Sequence, residues 1–490
     1  MDALSDFHRI GGATRPGERM KFDRLMDVAK MEVLPKRLRT MRQDALHALV
    51  LGLDSVLPEV LLPDRIILDR DALTIGGIRL VRESFSQVVI VGGGKATAGM
   101  CRSVIDVLGG QVPFSGAINV PYGQPVADWI RGVNPDAGVE VTFCSHPIPD
   151  EAGLGGVEKM LGRIAAAPQD ALVLALISGG GSALMPLPAE GISLADKQAT
   201  NRILLACGAA IDEINCIRKH LSRFKGGQLS VAAYPRRIFS LILSDVVGDD
   251  LQTIASGPTV PDTTTFHDAV EIVLKYAIDR LLPPSVLRRL NDGAAGRVPE
   301  TPKPGLPAFT RTTNLIIGSA GSAAEVARQD LTRRGYQTEI FAADLHGEAR
   351  AYGAELARRL ADFWKGGGPA AFIATGEFTV TLRGSGKGGR NQEMLLGFLD
   401  ELQRHPGLEA NRLSWVVLSA AFDGIEGNSG AMGAIIDSSS LQRMQGLGIN
   451  LRSHLERNDA RAVFQSLGDL LVTGQTGTNV NDMTLILIDG

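Results

Sequence analysis

Short runs of apolar, β-branched residues recur along this chain, and each leads into a cluster of glycines or a small polar turn. Gln87–Val91 runs into Gly92–Gly94, Ala171–Ile177 into Gly179–Gly181, and Arg237–Leu243 into Ser244–Asp245. Asn314–Ile317 is followed by Gly318–Gly321, Phe372–Ala374 by Gly376, and Trp415–Leu418 leads to Asp423–Gly424. Unbroken apolar runs of this length predict strands buried on both faces. Between them, Ala98–Leu108 and Ala323–Arg334 carry helical spacing. Strand, glycine turn and helix in alternation predict an α/β fold, a sheet wrapped by helices. Ligands of such sheets sit beyond the carboxyl ends of the strands, where these glycines fall.

Helical spacing also opens the chain over Lys21–Leu57. Between Pro299 and Arg311, four prolines (Pro299, Pro302, Pro304, Pro307) interrupt both periodicities and predict a domain boundary. A length of 490 residues exceeds one compact core, so two or three domains are expected. The net charge is −4 with no basic run, which argues against nucleic acid or an anionic membrane as the main partner. Cys101, Cys144, Cys207 and Cys216 form no CxxC pair, so a disulfide scaffold or structural zinc is not expected, and a reducing compartment is. Residues 1–30 lack the apolar stretch of a signal peptide, and Asp2, Asp6 and Glu18 argue against a transit peptide. Since no apolar run reaches membrane-spanning length, the expected location is cytoplasmic.

Val91-Gly-Gly-Gly-Lys95-Ala-Thr97 follows a strand and opens a helix. Glycines let backbone amides approach an anion, the helix start adds partial positive charge, and Lys95 adds a full one. The string is neither a Walker A loop nor a completed GxGxxG, because Val89, Ala96 and Thr97 stand at required positions. The plainer alternative is a tight turn with a solvated lysine. Ser178-Gly-Gly-Gly-Ser182 repeats the device, with Ser182 either capping a helix or donating to a phosphate oxygen. Arg218, Leu221 and Lys225 share a face at helical spacing within Asn215–Gly227, which Gly226–Gly227 would end. Such cations suit a carboxylate or phosphate; the alternative is a solvated helix face.

Asp245 ends a very apolar strand, where it could hold Mg²⁺, accept a hydroxyl proton, or simply cap a loop. Gly384–Gly389 is a flexible run leading into Arg390-Asn391-Gln392-Glu393, and an arginine at such a helix start can stabilise charge on a transferring phosphoryl group. Asp423 is a second candidate metal-binding or hydroxyl-orienting acid, and His146 reads as a fixed turn residue.

The strings GGGKA, SHPIPDEAG, SGGGSAL, INCIRKHLSRFKGG, LSDVVGD, ASGPT, GGRNQE, DGIEG and GDLLVTGQTGTNVND occur in order from about Gly92 to Asp482. Together they resemble the glycerate 2-kinase family, which pairs an N-terminal glycerate kinase domain with a C-terminal MOFRL domain. The resemblance implies transfer of the ATP γ-phosphate to D-glycerate, giving 2-phosphoglycerate and ADP, with ATP and Mg²⁺ as cofactors. It implies two Rossmann-like three-layer α/β/α domains with an active-site cleft between them. The expected division is an extension over 1–30, a glycerate kinase domain over 31–305 and a MOFRL-containing α/β domain over 306–490. On the matching positions, Lys95 and Arg390 would form the catalytic basic pair, and Asp245 the Mg²⁺ ligand or base. Gly93, Gly94, Ser178, Gly179, Gly180, Gly181, Ser182, Arg218, Lys225, Asn391, Glu393 and Asp423 would bind substrate or phosphate.

The family usually reads Thr-Asp-Gly-Ile-Asp-Gly-Pro-Thr-Asp-Ala where this chain has Phe422-Asp-Gly-Ile-Glu426-Gly-Asn-Ser-Gly-Ala431. A related sugar-acid acceptor therefore stays open, as does an NAD(P)H-dependent hydroxypyruvate reductase or a non-catalytic sensor of nucleotides or sugar phosphates. The expected partners are small molecules, glycerate and ATP, and neither nucleic acid nor a membrane; the sequence admits a homo-oligomer without setting its state.

Overall fold

The computed structural model describes Leu25 and residues 34–124, 138–364 and 366–489. The expected extension over 1–30 lies outside the described residues apart from Leu25. Two compact units are formed, one from Leu61–Ser319 with Gly477–Asn479, the other from the described parts of Met1–Val60, Ala320–Thr476 and Val480–Gly490.

The first unit is built on six parallel strands in the order Val139–Cys144, Phe114–Pro121, Val88–Gly93, Leu172–Ile177, Arg237–Leu243 and Thr312–Gly318. Numbered along the chain this is 3-2-1-4-5-6, the doubly wound Rossmann order, with its reversal between Val88–Gly93 and Leu172–Ile177. Those two strands are buried along their whole length, which is why their sequences are unbroken apolar runs. Asp150 starts the covering helix Glu151–Ala166 by accepting from the Gly153 amide at 2.9 Å. A small antiparallel sheet, Ile66–Leu68, Ala72–Ile75 and Ile78–Val81, was not predicted, since its strands are only three or four residues long.

The second unit is also α/β, but its sheet is mixed. Its order is Gln337–Leu345, Ala370–Gly376, Asp482–Asp489, Ser414–Ala421, Gly433–Asp437 and Leu470–Leu471. Only the first pair is parallel. Phe372, Val417 and Ile486 pack with helices Ala349–Phe363 and Arg390–Arg404, while helices Lys36–Asp54 and Ala320–Arg333 cover the other face.

The limits of the units differ from the expected division at Gly477–Asn479, which join the first unit, and at two further places. Helix Lys36–Asp54, expected in the first domain, belongs to the second unit, where the fully buried Arg42 donates to Asp437 and Asp469 at 2.6 Å each. Strand Thr312–Gly318, expected beyond the boundary, completes the first sheet. The proline run therefore breaks periodicity inside a crossover; Pro307–Arg311 is a single 3-10 turn feeding the last parallel strand. Among the described residues, no single helix is long and apolar enough to cross a membrane.

Candidate functional site

Both triple-glycine turns lie at the carboxyl ends of the two strands flanking the reversal of strand order, so sheet topology alone brings them together. Their contact is close. The Lys95 amide donates to the Gly179 carbonyl at 2.9 Å, and the Ala96 amide to Ser178 Oγ at 3.0 Å. The Gly94 amide donates to the Asn119 carbonyl at 3.3 Å. Gly94 has φ +154°, and a Cβ there would stand 2.1 Å from Ser178 Oγ, so only glycine permits this approach. Of the residues expected to cradle phosphate, Ser178 accepts from the Ala96 amide and the Gly94 amide is taken by the Asn119 carbonyl, so the first turn presents chiefly its Lys95 side chain.

That side chain meets a cluster assembled from four segments. A Cβ on Gly180 would fall 2.9 Å from His146 Nε2 and 3.6 Å from Lys95 Cγ, so both side chains lie over this glycine. A Cβ on the neighbouring Gly179 would fall 2.4 Å from Asp245 Oδ2 and 2.0 Å from Asn479 Nδ2. Asn479 reaches Asp245 Oδ2 at 3.5 Å, from the three residues Gly477–Asn479 that return to this unit late in the chain. His146, read from sequence as a turn residue, therefore sits beside Lys95, and Asn479 was not singled out at all.

The described residues contain no group of three His, Cys, Asp or Glu side chains placed to hold a metal. Asp245 is the acid at this turn, and the Asn479 amide meets it through Nδ2, a donor.

Beyond Gly180 the second turn leads to a group of cations. Helix Ile211–His220 carries Arg218 but ends before Lys225, so the two reach the site from a helix and from the following turn rather than from one helix face. Gly226 and Gly227, at φ +56° and +82°, link to the next helix, Gln228–Ala233. Lys225 Nζ donates to the Ser182 carbonyl at 2.8 Å, and Ser182 Oγ lies 3.1 Å from Ser256 Oγ. Their unpredicted companion is Lys197, on helix Leu194–Ala206. Burial, and then the nearby Arg218, push its ammonium down to about 7, while burial with both other cations holds Lys225 well below its ordinary value. Lys219 and His220, in the same basic string, are structural: Lys219 pairs with Asp262 at 2.6 Å and His220 with Glu300 at 3.2 Å.

In the second unit, Arg390 opens helix Arg390–Arg404 and is gripped by Asp482, through Nε at 2.5 Å and Nη2 at 2.6 Å. Its Nη1 lies 3.1 Å from Glu377. Asn391 and Glu393, expected to bind substrate, are buried and committed internally. Asn391 donates to Asp482 at 3.0 Å and accepts from Ser419 Oγ at 2.5 Å; Glu393 is held by Arg350 Nε at 3.1 Å. Asp423 accepts from the Ile425 amide at 3.3 Å, which shapes its own loop. Glu426, where the chain departs from the usual family string, accepts from the Asn391 and Gln392 amides at 2.5 and 3.1 Å and so closes the start of this helix. Burial pushes Glu426 up to about 8 and Asp482 up to about 6.

Two family models match the chain, a domain of unknown function (DUF4147) over residues 44–291 and the MOFRL family over residues 370–482. An Agrobacterium vitis protein with a provisional hydroxypyruvate reductase name is 39% identical over 82% of this chain and 99% of its own length. The glycerate 2-kinase of Pyrococcus horikoshii is 36% identical over 82% of this chain and 87% of its own. The crystal structure of glycerate kinase from Thermotoga maritima superposes with a TM-score of 0.74 at 32% identity, covering 91% of this chain and 99% of that one. The chain belongs to the glycerate kinase family. In this glycerate kinase family member, the DUF4147 match takes in both triple-glycine turns and the buried cations, and the MOFRL match takes in Arg390, Glu426 and Asp482.

Proposed function

We infer that this protein is a glycerate 2-kinase, transferring the γ-phosphate of ATP to D-glycerate with 2-phosphoglycerate and ADP as products. The observation that carries the reading is the convergence of Lys95 and Asp245 on the Gly179–Gly180 turn at the reversal of strand order, next to a buried group of cations. Phosphoryl transfer asks mainly for positioning and charge stabilisation, which a lysine, an acid and a rigid turn supply. Lys95 would neutralise charge on the transferred group. Asp245, oriented by Asn479, would hold magnesium or take the proton of the attacking hydroxyl. Magnesium carried in with the nucleotide would offset the negative charge of the phosphates. Arg218 and Lys225 would hold the acceptor's acid group, and Ser182 would add a hydroxyl donor. Arg390 is assigned as the second basic residue by its place in the GGRNQE string, with Asp482 and Glu377 fixing its guanidinium.

Hydride transfer from a nicotinamide cofactor is less well supported, because a dinucleotide pyrophosphate needs the amides of the first turn. Here Ser178 and the Gly179 carbonyl already occupy those of Ala96 and Lys95. A cytoplasmic setting fits cysteines that are all unpaired.

The test is direct: incubation with ATP, Mg²⁺ and D-glycerate should release ADP and the 2-phospho isomer. Oxidation of NADH by hydroxypyruvate, with no ADP formed from glycerate, would overturn the assignment.

A further inference from the structure

The group formed by Lys197, Arg218 and Lys225 is electrostatically incomplete. Each is pushed below its ordinary pKa by burial, and the charged groups acting on them are one another, with no carboxylate among the causes. Buried like charges repel strongly, so a fold that keeps three cations together either sheds their protons or gains an anion from elsewhere. The hydrogen bonding points to the anion. Arg218 Nε is fixed by Asn201 Oδ1 at 3.0 Å, and Lys225 Nζ by the Ser182 carbonyl at 2.8 Å. In contrast, Lys197 Nζ and Asn215 Nδ2 are buried donors with no partner among the described residues. Asn215 is aligned by Ser256, whose hydroxyl donates to Asn215 Oδ1 at 2.9 Å and lies 3.1 Å from Ser182 Oγ. Ser182 in turn is two residues from Gly180, over which Lys95 and His146 lie. The unsatisfied donors therefore belong to the same end of the sheet as the phosphoryl-transfer residues.

We propose that Lys197 is a specificity-determining residue that, with Arg218, Lys225 and Asn215, cages the carboxylate of the acceptor substrate. This rests on the kinase reading for the identity of the acceptor. A carboxylate is planar and singly charged, and can lie against a guanidinium edge while taking a lysine on its other side. Its arrival would satisfy both orphan donors, and would allow Lys197, balanced near neutral pH, to hold its proton.

The full-length protein and its Lys197→Met and Asn215→Asp variants test this. The first removes one cation while keeping the bulk of the side chain; the second builds in a carboxylate that competes with the substrate's. Both relieve repulsion, so both should melt at or above the wild-type temperature. Each should raise KM for D-glycerate about 10- to 100-fold, the cost of losing a charge-assisted bond, with KM for ATP unchanged. A glycerate KM within twofold of wild type, or an equal rise for ATP, would overturn the assignment. Calorimetric titration with D-glycerate and with inorganic phosphate, without nucleotide, separates this idea from the kinase reading. Anion binding that is present in wild type and lost in both variants upholds the cage even if wild type makes no ADP, in which case the kinase reading alone fails. A wild type that binds neither anion, or variants that bind as well as wild type, would sink the cage.

Discussion

Lys95 shows what one residue's surroundings add to its sequence context. Following a strand and three glycines, it was legible as an anion-binding candidate, and its neighbours His146 and Gly180, with Asp245 over the adjacent Gly179, give it a setting in which charge can act. Lys95→Ala should leave the backbone bonds of the turn in place and lower kcat about 10²- to 10³-fold, the usual cost of losing one preorganised charge stabiliser, with an unchanged circular dichroism spectrum. Gly179→Ala tests the same point sterically. The added methyl would occupy the space of Asn479 Nδ2 and Asp245 Oδ2, so kcat should fall about tenfold or more by displacement of Asp245, measured with both substrates saturating. Lys197 was not legible in this way. A single lysine in Leu194-Ala-Asp-Lys-Gln-Ala-Thr looks like one on any solvated helix, and only its burial reveals it.

At the scale of an element, helix Arg390–Arg404 shows where polarity misleads. A glycine run followed by Arg, Asn, Gln and Glu reads as a ligand-facing helix start, yet Asn391, Gln392 and Glu393 are all buried. Their polar groups answer those of Ser419, Asp482, Glu426 and Arg350, which lie far away in sequence. Sequence gives the polarity of a helix start and not its direction. Glu426 is the sharpest case: within the loop whose departures at Phe422 and Gly430 leave the acceptor open, it provides a buried carboxyl over the first turn of this helix. Its native pKa of about 8 lies above the unfolded value of 4.5, so the folded state binds the extra proton. The stabilisation this gives is complete below pH 4.5 and is lost as pH rises towards 8. Glu426→Gln should keep the acceptor oxygen and abolish that slope. In urea denaturation, wild type should lose more than about 1 kcal/mol between pH 5 and pH 8.5 that the variant retains.

On the scale of the whole molecule, the parallel sheet was readable almost strand by strand, because strands buried on both faces leave unbroken apolar runs. The interleaving of the units was not readable. A proline run is a strong local signal, but whether it separates domains or crosses a layer depends on which sheet the next strand joins. The bond between Arg42 and the acids Asp437 and Asp469 holds the early helix in the second unit. Arg42→Met should lower that unit's stability by about 3 kcal/mol, since Arg443, at 2.8 Å from Asp469 and 3.4 Å from Asp437, is left to balance two buried carboxylates. Urea unfolding followed by hydrogen exchange in Ser414–Ala421 would measure the loss.

The same placement of Lys36–Asp54 sets a schedule for protein synthesis. The helix packs on strands Ser414–Ala421 and Asp482–Asp489, so the ribosome must add about 430 residues after Asp54 before its docking surface is complete, roughly 20 to 90 s at ordinary elongation rates. From the addition of Ser319 onwards the Rossmann unit has all but Gly477–Asn479 of its own chain and can fold, while the apolar face of the helix still waits. The nascent chain thus has a defined window in which a chaperone holding that helix would prevent aggregation, and a pause in translation near the end of the message would lengthen it.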